Sequence, residues 1–356
     1  MKDILAQLVE GQPLSAEQAV YAFDLIMSGK SEPTQTAALL ALIAGRGATV
    51  DELVGAATVM RNKAAKVAVP NGLTAIDTCG TGGDHAGTFN ISTAAAIVAA
   101  GAGRELGLCV AKHGNKSVTS KSGSSQVLDT LGVKLNVDTD TLTTCLDQAG
   151  ICFCFAPAHH PAMKHAGPVR ADLGFRTIFN LVGPLTNPAG AKRQVVGVFG
   201  PKLTDTVAKV LQQLGAIHAM VVHGQMPDVD GEGAHQGGVD ELSTCGPSRV
   251  STVRDGKVVT AELDPTELGL SLGHPSALLA DGPEQSAKII ADVLAGKDGA
   301  PREIVALNAA AALTVGGVAQ DLTEGLTMAF DAIDNGKAKA ALDALIELTN
   351  AAQASA

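Results

Sequence analysis

The sequence predicts an α/β protein with a small all-helical N-terminal domain and a larger α/β domain, its largely parallel central sheet covered by helices. Three observations carry this reading. Residues 1 to about 68 show only helical patterns, and from Pro70 short apolar runs alternate with helical segments. Those runs lack polar alternation, as strands covered on both faces do. At 356 residues the chain exceeds one ordinary core. The division is expected at 1–68 and 69–356, with helices near 161–190 joining the first unit.

Within the first unit, Ser15 with Gln18 and Thr49 with Glu52 each resemble a capping box. The apolar residues behind them recur at helical spacing (Ala19, Ala22, Phe23, Ile26; Leu53, Ala56, Ala57, Met60). Pro33 opens a third helix over Thr34–Ala44. So apolar a helix set cannot cover itself; it packs on the larger domain or on a second copy of the chain.

Strands are expected at Leu73–Cys79, Leu108–Lys112, Ile151–Ala156, Gln194–Phe199 and Ala216–Val222, with helices at Ile91–Ala102, Ser124–Leu131, Thr139–Gln148 and Thr204–Leu214. Val250–Arg254 and Lys257–Thr260 flank Asp255-Gly256, a hairpin signal. Pro301–Thr314, Asp321–Asn335 and Gly336–Leu348 read as helices. In a parallel sheet the functional loops follow the strand C-termini, so Thr81–Thr88, Lys112–Ser124 and Gly224–Glu241 should meet.

A net charge of −10, no Trp and one Tyr argue against a nucleic-acid surface, so an anionic ligand must meet a local basic site. The six cysteines contain no CxxC pair, which excludes the common zinc spacing, and Cys152 and Cys154 sit in an apolar run as small core residues. The N-terminus is amphipathic rather than a signal peptide, and charge or glycine interrupts every apolar run before transmembrane length. A cytoplasmic protein with no membrane partner is expected.

The first of the three loops, Gly80-Thr-Gly-Gly-Asp84 running on to Thr88 and Asn90-Ile-Ser-Thr93, exposes backbone amides where a helix is about to begin. It is neither GxGxxG nor Walker A, because His85 stands at the sixth position and no Gly-Lys-Ser/Thr follows. It reads as a phosphate floor or, on glycines alone, a tight turn. The second, Lys112 to Ser125, gathers three lysines, one histidine and six hydroxyls in fourteen residues, as a phosphate-covering lid or a solvated loop would. The third starts like a calcium loop at Asp228, but Val239 replaces the bidentate glutamate. Asp240-Glu241 reads as the better cation candidate, with Mg²⁺ the hard cation it suits, or as a solvated acidic turn. Between the loops, Arg170 offers a fork for a carboxylate and His160 a donor or pocket wall, whereas Arg176 on a following helix reads as structural.

Taken together, Gly80–Asp84, Thr88 with Asn90–Thr93, Lys112-His-Gly-Asn115, Ser122-Gly-Ser124, His160-Pro-Ala-Met-Lys164, Pro168-Val-Arg170, Asn180 with Gly183–Pro188, Val239-Asp-Glu241 and Leu307-Asn308 resemble the anthranilate phosphoribosyltransferases of tryptophan biosynthesis. The resemblance covers essentially the whole chain. It implies transfer of the phosphoribosyl group from phosphoribosyl pyrophosphate to the amine of anthranilate, with Mg²⁺, in a homodimer made through the helical part. Phosphoribosyl pyrophosphate would be held by Gly80, Gly83, Asp84, Thr88, Asn90, Ile91, Ser92 and Thr93, with Lys112, Lys116, Ser117, Thr119, Ser120 and Ser124 closing over it. Gly80, His113, Asn115, His160 and Arg170 would bind anthranilate, and Ser92, Asp240 and Glu241 the metal. No residue acts as a clear acid or base. His85, Lys116 and Gln126 stand where the family more often has Gly, Arg and Asp. Pyrimidine nucleoside phosphorylases share the implied architecture but are longer and carry Lys-His-Ser-Thr-Gly-Gly where this chain has Lys112–Ser117; a non-catalytic nucleic-acid-binding relative is opposed by the acidity and the Asp240-Glu241 pair.

Overall fold

The computed structural model describes residues 1–116, 122–227 and 238–354. Helices α1 (Lys2–Val9), α2 (Ala16–Met27), α3 (Pro33–Arg46) and α4 (Val50–Lys63) form the N-terminal unit. Both capping boxes close: Ser15 Oγ accepts from the Gln18 amide at 3.2 Å and Thr49 Oγ1 from that of Glu52 at 3.3 Å. Glu52 does more than cap. Fully buried, its carboxylate also accepts from the Leu14 amide at 3.0 Å and from Arg46 at 2.6 Å, which ties three segments together.

This unit finds apolar cover within the same chain. Phe23, Leu40, Ile43 and Leu53 share one core with Val169, Phe179, Val196 and Val221, and the helices pack on the segments Gly167–Leu173, Ile178–Val182 and Leu203–Gln213 that lie between them and the sheet. The Phe23 and Phe179 rings meet edge to face at 5.7 Å.

The sheet contains β1 (Thr74–Gly80), β2 (Leu108–Gly114), β3 (Ile151–Phe155), β4 (Arg193–Gly197), β5 (His218–Gly224), β6 (Ser248–Arg254) and β7 (Lys257–Leu263) in the order β3-β2-β1-β4-β5-β6-β7. The first five are parallel and the last two form the antiparallel hairpin. At its tip Asp255 and Gly256 both have positive φ, 51° and 70°, as a type I′ turn requires. Strand order reverses between β1 and β4, which opens a crevice beyond their C-terminal ends.

The remaining helices are α5 (Ile91–Gly103), α6 (Ser124–Thr130), α7 (Thr139–Gln148), α8 (Ala156–His159), α9 (Gly167–Leu173), α10 (Ile178–Val182), α11 (Leu203–Gln213), α12 (Pro283–Leu294), α13 (Ala300–Gly316), α14 (Leu322–Asp334) and α15 (Lys337–Ala354). Helix α5 is buried on almost every side, which its run of Ala and Gly permits; a Cβ on Gly101 would lie 2.6 Å from the Ala338 backbone.

Several boundaries differ from expectation. Ala156 opens α8 instead of ending β3, β5 begins at His218, and Gly336, with φ 77°, stands outside α15. Helix α12 was not anticipated. Arg176 lies in the turn between α9 and α10, not on a helix.

Candidate active site

Three loops converge beyond the C-terminal ends of β1, β2, β4 and β5. The centre is Asp240. Its Oδ2 accepts from the Gly82 amide at 2.8 Å, and its own amide donates to Asp84 Oδ2 at 3.2 Å. Room for it comes from glycine: Gly80 and Gly197 pair in register across β1 and β4, and a Cβ on either would strike Asp240.

Beside it, Glu241 Oε1 accepts from the Ser92 amide at 2.9 Å. The N-terminus of α5, which the sequence offers to phosphate, is therefore already engaged by a carboxylate arriving from the third loop. The Ser92 hydroxyl accepts from Lys112 Nζ at 3.3 Å. Lys112 is not part of a closing lid: it lies inside β2, 2% exposed, and also donates to the Thr78 carbonyl at 2.6 Å. Ile91 and Thr93 are likewise buried, so their side chains face the core.

The first loop keeps free donors of its own. Among the described residues, the amides of Gly83, Asp84 and His85 make no hydrogen bond, and Gly82, Gly83 and His85 all have positive φ (63°, 77° and 60°). Successive unpaired amides in such a backbone form an anion-binding concavity. Arg176, read as structural, closes its side: it donates to the Gly83 carbonyl, reaches His85 Nε2 at 3.0 Å, and lies 4.4 Å from the Phe199 ring centroid.

Electrostatically the carboxylates are short of positive charge. Burial first, then the neighbouring Asp84 and Glu241, hold the Asp240 carboxyl well above the usual range. Burial also pushes Glu241 up to about 7 despite Lys112 and the Ser92 bond.

Asn90, preceding α5, is held from three sides: its amide donates to Ser286 Oγ at 2.9 Å, and its Oδ1 accepts from the hydroxyls of Ser122 at 2.8 Å and Ser286 at 2.9 Å. Ser124 Oγ meets the Asn115 carbonyl at 3.4 Å, while Asn115 Oδ1 accepts from the Lys116 amide at 2.7 Å. Thr88 bridges to Leu279. Ser117, Thr119 and Ser120, with most of the third loop, lie outside the described residues.

On the other side, His113 and His160 place Nε2 atoms 3.2 Å apart. Burial pushes both imidazoles down, to about 3 and about 4, so the pair is neutral and one ring donates to the other. Arg170 on α9 packs 5.4 Å from the Phe179 ring centroid with no carboxylate partner among the described residues, and burial lowers its pKa. It makes no hydrogen bond to Asn115 or to either histidine.

Sequence reasoning missed Ser286, Arg176 as a loop partner, and the use made of Asn308. The Asn308 side chain accepts from the Leu242 amide and donates to the Leu242 carbonyl, both at 2.9 Å, which pins the chain next to Glu241. Below, buried Asp77 accepts from the His113 amide at 2.9 Å. An Asn in an otherwise apolar helix and an Asp in an apolar strand were the available signals.

The glycosyl transferase family helical bundle domain matches residues 2–64, and the glycosyl transferase family a/b domain residues 72–339. An anthranilate phosphoribosyltransferase from Acetivibrio thermocellus is 46% identical over 98% of this chain and 97% of its own, and one from Rubrobacter xylanophilus 44% identical over the same shares. The chain belongs to the anthranilate phosphoribosyltransferase family. Among solved members of that family, the Thermus thermophilus enzyme superposes with a TM-score of 0.87 at 36% identity, covering 98% of this chain and 99% of its own. The Saccharomyces cerevisiae enzyme, solved in complex with phosphoribosyl pyrophosphate and Mg, gives 0.84 at 27% identity over 98% and 97%.

Two positions that depart from the family's commoner residues have local reasons here. His85 accepts the left-handed backbone and meets Arg176, and Gln126 Oε1 takes the Gly123 amide at 3.0 Å, closing the first turn of α6. No helix among the described residues is long and apolar enough to cross a membrane.

Proposed function

We infer that this member of the anthranilate phosphoribosyltransferase family transfers the phosphoribosyl group of phosphoribosyl pyrophosphate to the amine of anthranilate, releasing pyrophosphate in a Mg²⁺-dependent step of tryptophan biosynthesis. The observation that carries this reading is the meeting of Asp84, Asp240 and Glu241 over the glycine loop, next to three amides that have no partner among the described residues.

These residues fit Mg²⁺. Asp240 and Glu241 each commit one oxygen to a backbone amide and keep another, and their raised carboxyls mark a site short of cations. Among the described residues no three His, Cys, Asp or Glu are arranged to hold an ion by themselves. That suits an ion which keeps waters and takes one or two carboxylates plus substrate phosphates. Bound there by Asp240 and Glu241, Mg²⁺ would stabilise charge on the leaving pyrophosphate.

The chain's own groups supply the rest. The amides of Gly83, Asp84 and His85 are donors for phosphate oxygens, and Asn90, Thr88 and Ser124 stand around the same crevice. Lys112 contributes from below by holding the Ser92 hydroxyl and setting a positive charge under the first turn of α5. Arg170, without a carboxylate partner among the described residues, suits the carboxylate of anthranilate. His113 and His160, both neutral, can line its pocket without adding charge. An aromatic amine is already neutral near pH 7, so placing it against the ribose C1 requires no strong base; attack opposite the leaving group gives inversion. Lys116, Ser117, Thr119 and Ser120 are proposed to cover the phosphates.

The helical segment is proposed to make a homodimer; Val9 and Tyr21 remain 72% and 56% exposed on it. Light scattering should give about twice 35.9 kDa. For the reaction, anthranilate fluorescence should fall only when phosphoribosyl pyrophosphate and Mg²⁺ are both present; no change with folded protein would overturn the assignment.

A further inference from the structure

A cavity of about 470 Å³ lies at the end of the sheet opposite the crevice just described. Arg193 at the start of β4, His218 at the start of β5 and Arg254 at the end of antiparallel β6 line it, with the chain after α13 along another wall. The volume falls within the range of small-molecule sites, roughly 300–1,000 Å³.

Arg193 is held by a backbone carbonyl. Its Nη1 donates to the Val315 carbonyl at 2.6 Å, and its guanidinium lies beside Gly317, whose φ of 81° is the left-handed backbone that favours glycine. Among the described residues it has no carboxylate partner. Arg254 has only Asp255, 3.9 Å away with both side chains exposed. His218 is 5% exposed and borders the cavity, and its ring nitrogens have no hydrogen-bond partner among the described residues and are not sealed from solvent. A ring held in place with its nitrogens open to the cavity can donate to or accept from a ligand there.

The walls also select. Ile217, Val318 and Ala319 add apolar surface, while Asp255 and Glu324 stand on the rim. Glu324 is partly engaged, since its Oε2 accepts the Gln320 amide at 2.7 Å, but both carboxylates still repel a dianion. A planar monoanion with an apolar body meets two guanidinium forks with about half that repulsion. We propose that this cavity binds a small apolar organic carboxylate, its charge taken by Arg193 and Arg254 and its second contact made by His218, at a site separate from the catalytic crevice.

Ligand-observed fluorine NMR with 4-fluorobenzoate tests this on the full chain. An Arg170→Ala background removes the carboxylate fork proposed for the catalytic crevice, so signal from that crevice is suppressed. Binding with a dissociation constant below about 1 mM is expected to persist there, to weaken about tenfold on adding Arg254→Gln, and to resist an equal concentration of inorganic phosphate. Arg193→Gln should act in the same direction; if it fails to fold for want of the Val315 bond, exposed Arg254 and His218→Leu still decide. Absence of binding in the Arg170→Ala background, indifference to Arg254→Gln and His218→Leu, or equal displacement by phosphate would each overturn the proposal. None of these readouts requires turnover.

Discussion

The carbonyl oxygen of Asp240 lies 1.5 Å from the point a Cβ on Gly197 would occupy. Backbone cannot yield there as the tip of a flexible side chain could, so Gly197→Ala must push Asp240 out of the notch between β1 and β4. A misplacement of about 1 Å can cost a hundredfold in rate. We expect kcat/KM to fall by about that factor, with a stability loss of about 1–3 kcal/mol. Paired kinetic and thermal-melt measurements check this; normal kcat/KM in a folded variant would contradict it.

Arg170→Ala should separate the two substrates. A charge-assisted hydrogen bond is worth about 1.5–3 kcal/mol, so KM for anthranilate should rise roughly tenfold to a hundredfold while that for phosphoribosyl pyrophosphate changes little. Steady-state titration of each substrate measures both. Equal losses would remove the carboxylate role.

His113 and His160 give a pH test with a definite sign. Their folded values, about 3 and about 4, lie below the ordinary 6.5, so the unfolded chain binds more protons between these limits. Their contribution to stability is full above pH 6.5 and is lost as pH falls toward 4 and below. Proton NMR of the imidazoles should show no titration of this pair near pH 6.5, and His160→Gln should flatten the acid limb of the stability curve.

Glu241 runs the opposite way. Its folded value, about 7, exceeds its ordinary 4.5, so its neutral form favours folding below pH 4.5 and that contribution disappears as pH rises through 7. A divalent cation should offset the loss. The Mg²⁺-induced rise in melting temperature should therefore be small at pH 5.5 and larger at pH 8, and Glu241→Gln should remove most of the difference. An equal rise at both pH values would place the ion elsewhere.

What the sequence made legible was local. Capping boxes at Ser15 and Thr49, the Asp255-Gly256 turn and the alternation of apolar runs with helices each depend on neighbours a few residues apart, and all formed. The loops also met where parallel strands require. The partners inside the site were not readable, because strand order chooses them: Ser92 and Glu241 are 149 residues apart, and Asn90 and Ser286 196. Lys112 misled for a related reason. Composition placed it with a basic loop, but β2 runs on to Gly114 and carries it under α5. Arg176 looked ordinary because its partners, Gly83 and His85, lie about ninety residues upstream.

The bridge that closes the third loop separates length from position. Gly224 and Val239 exchange both amide bonds, at 2.9 and 2.8 Å, and Asn308 grips Leu242 just beyond. Asp240 and Glu241 thus follow a stem fastened at Gly224, Val239 and Leu242. Doubling the length of a loop closed by such a bridge costs only about 0.6 kcal/mol of closure entropy. A reporter peptide or an affinity handle inserted between Gly224 and Val239 would therefore leave the fastening of the two carboxylates in place.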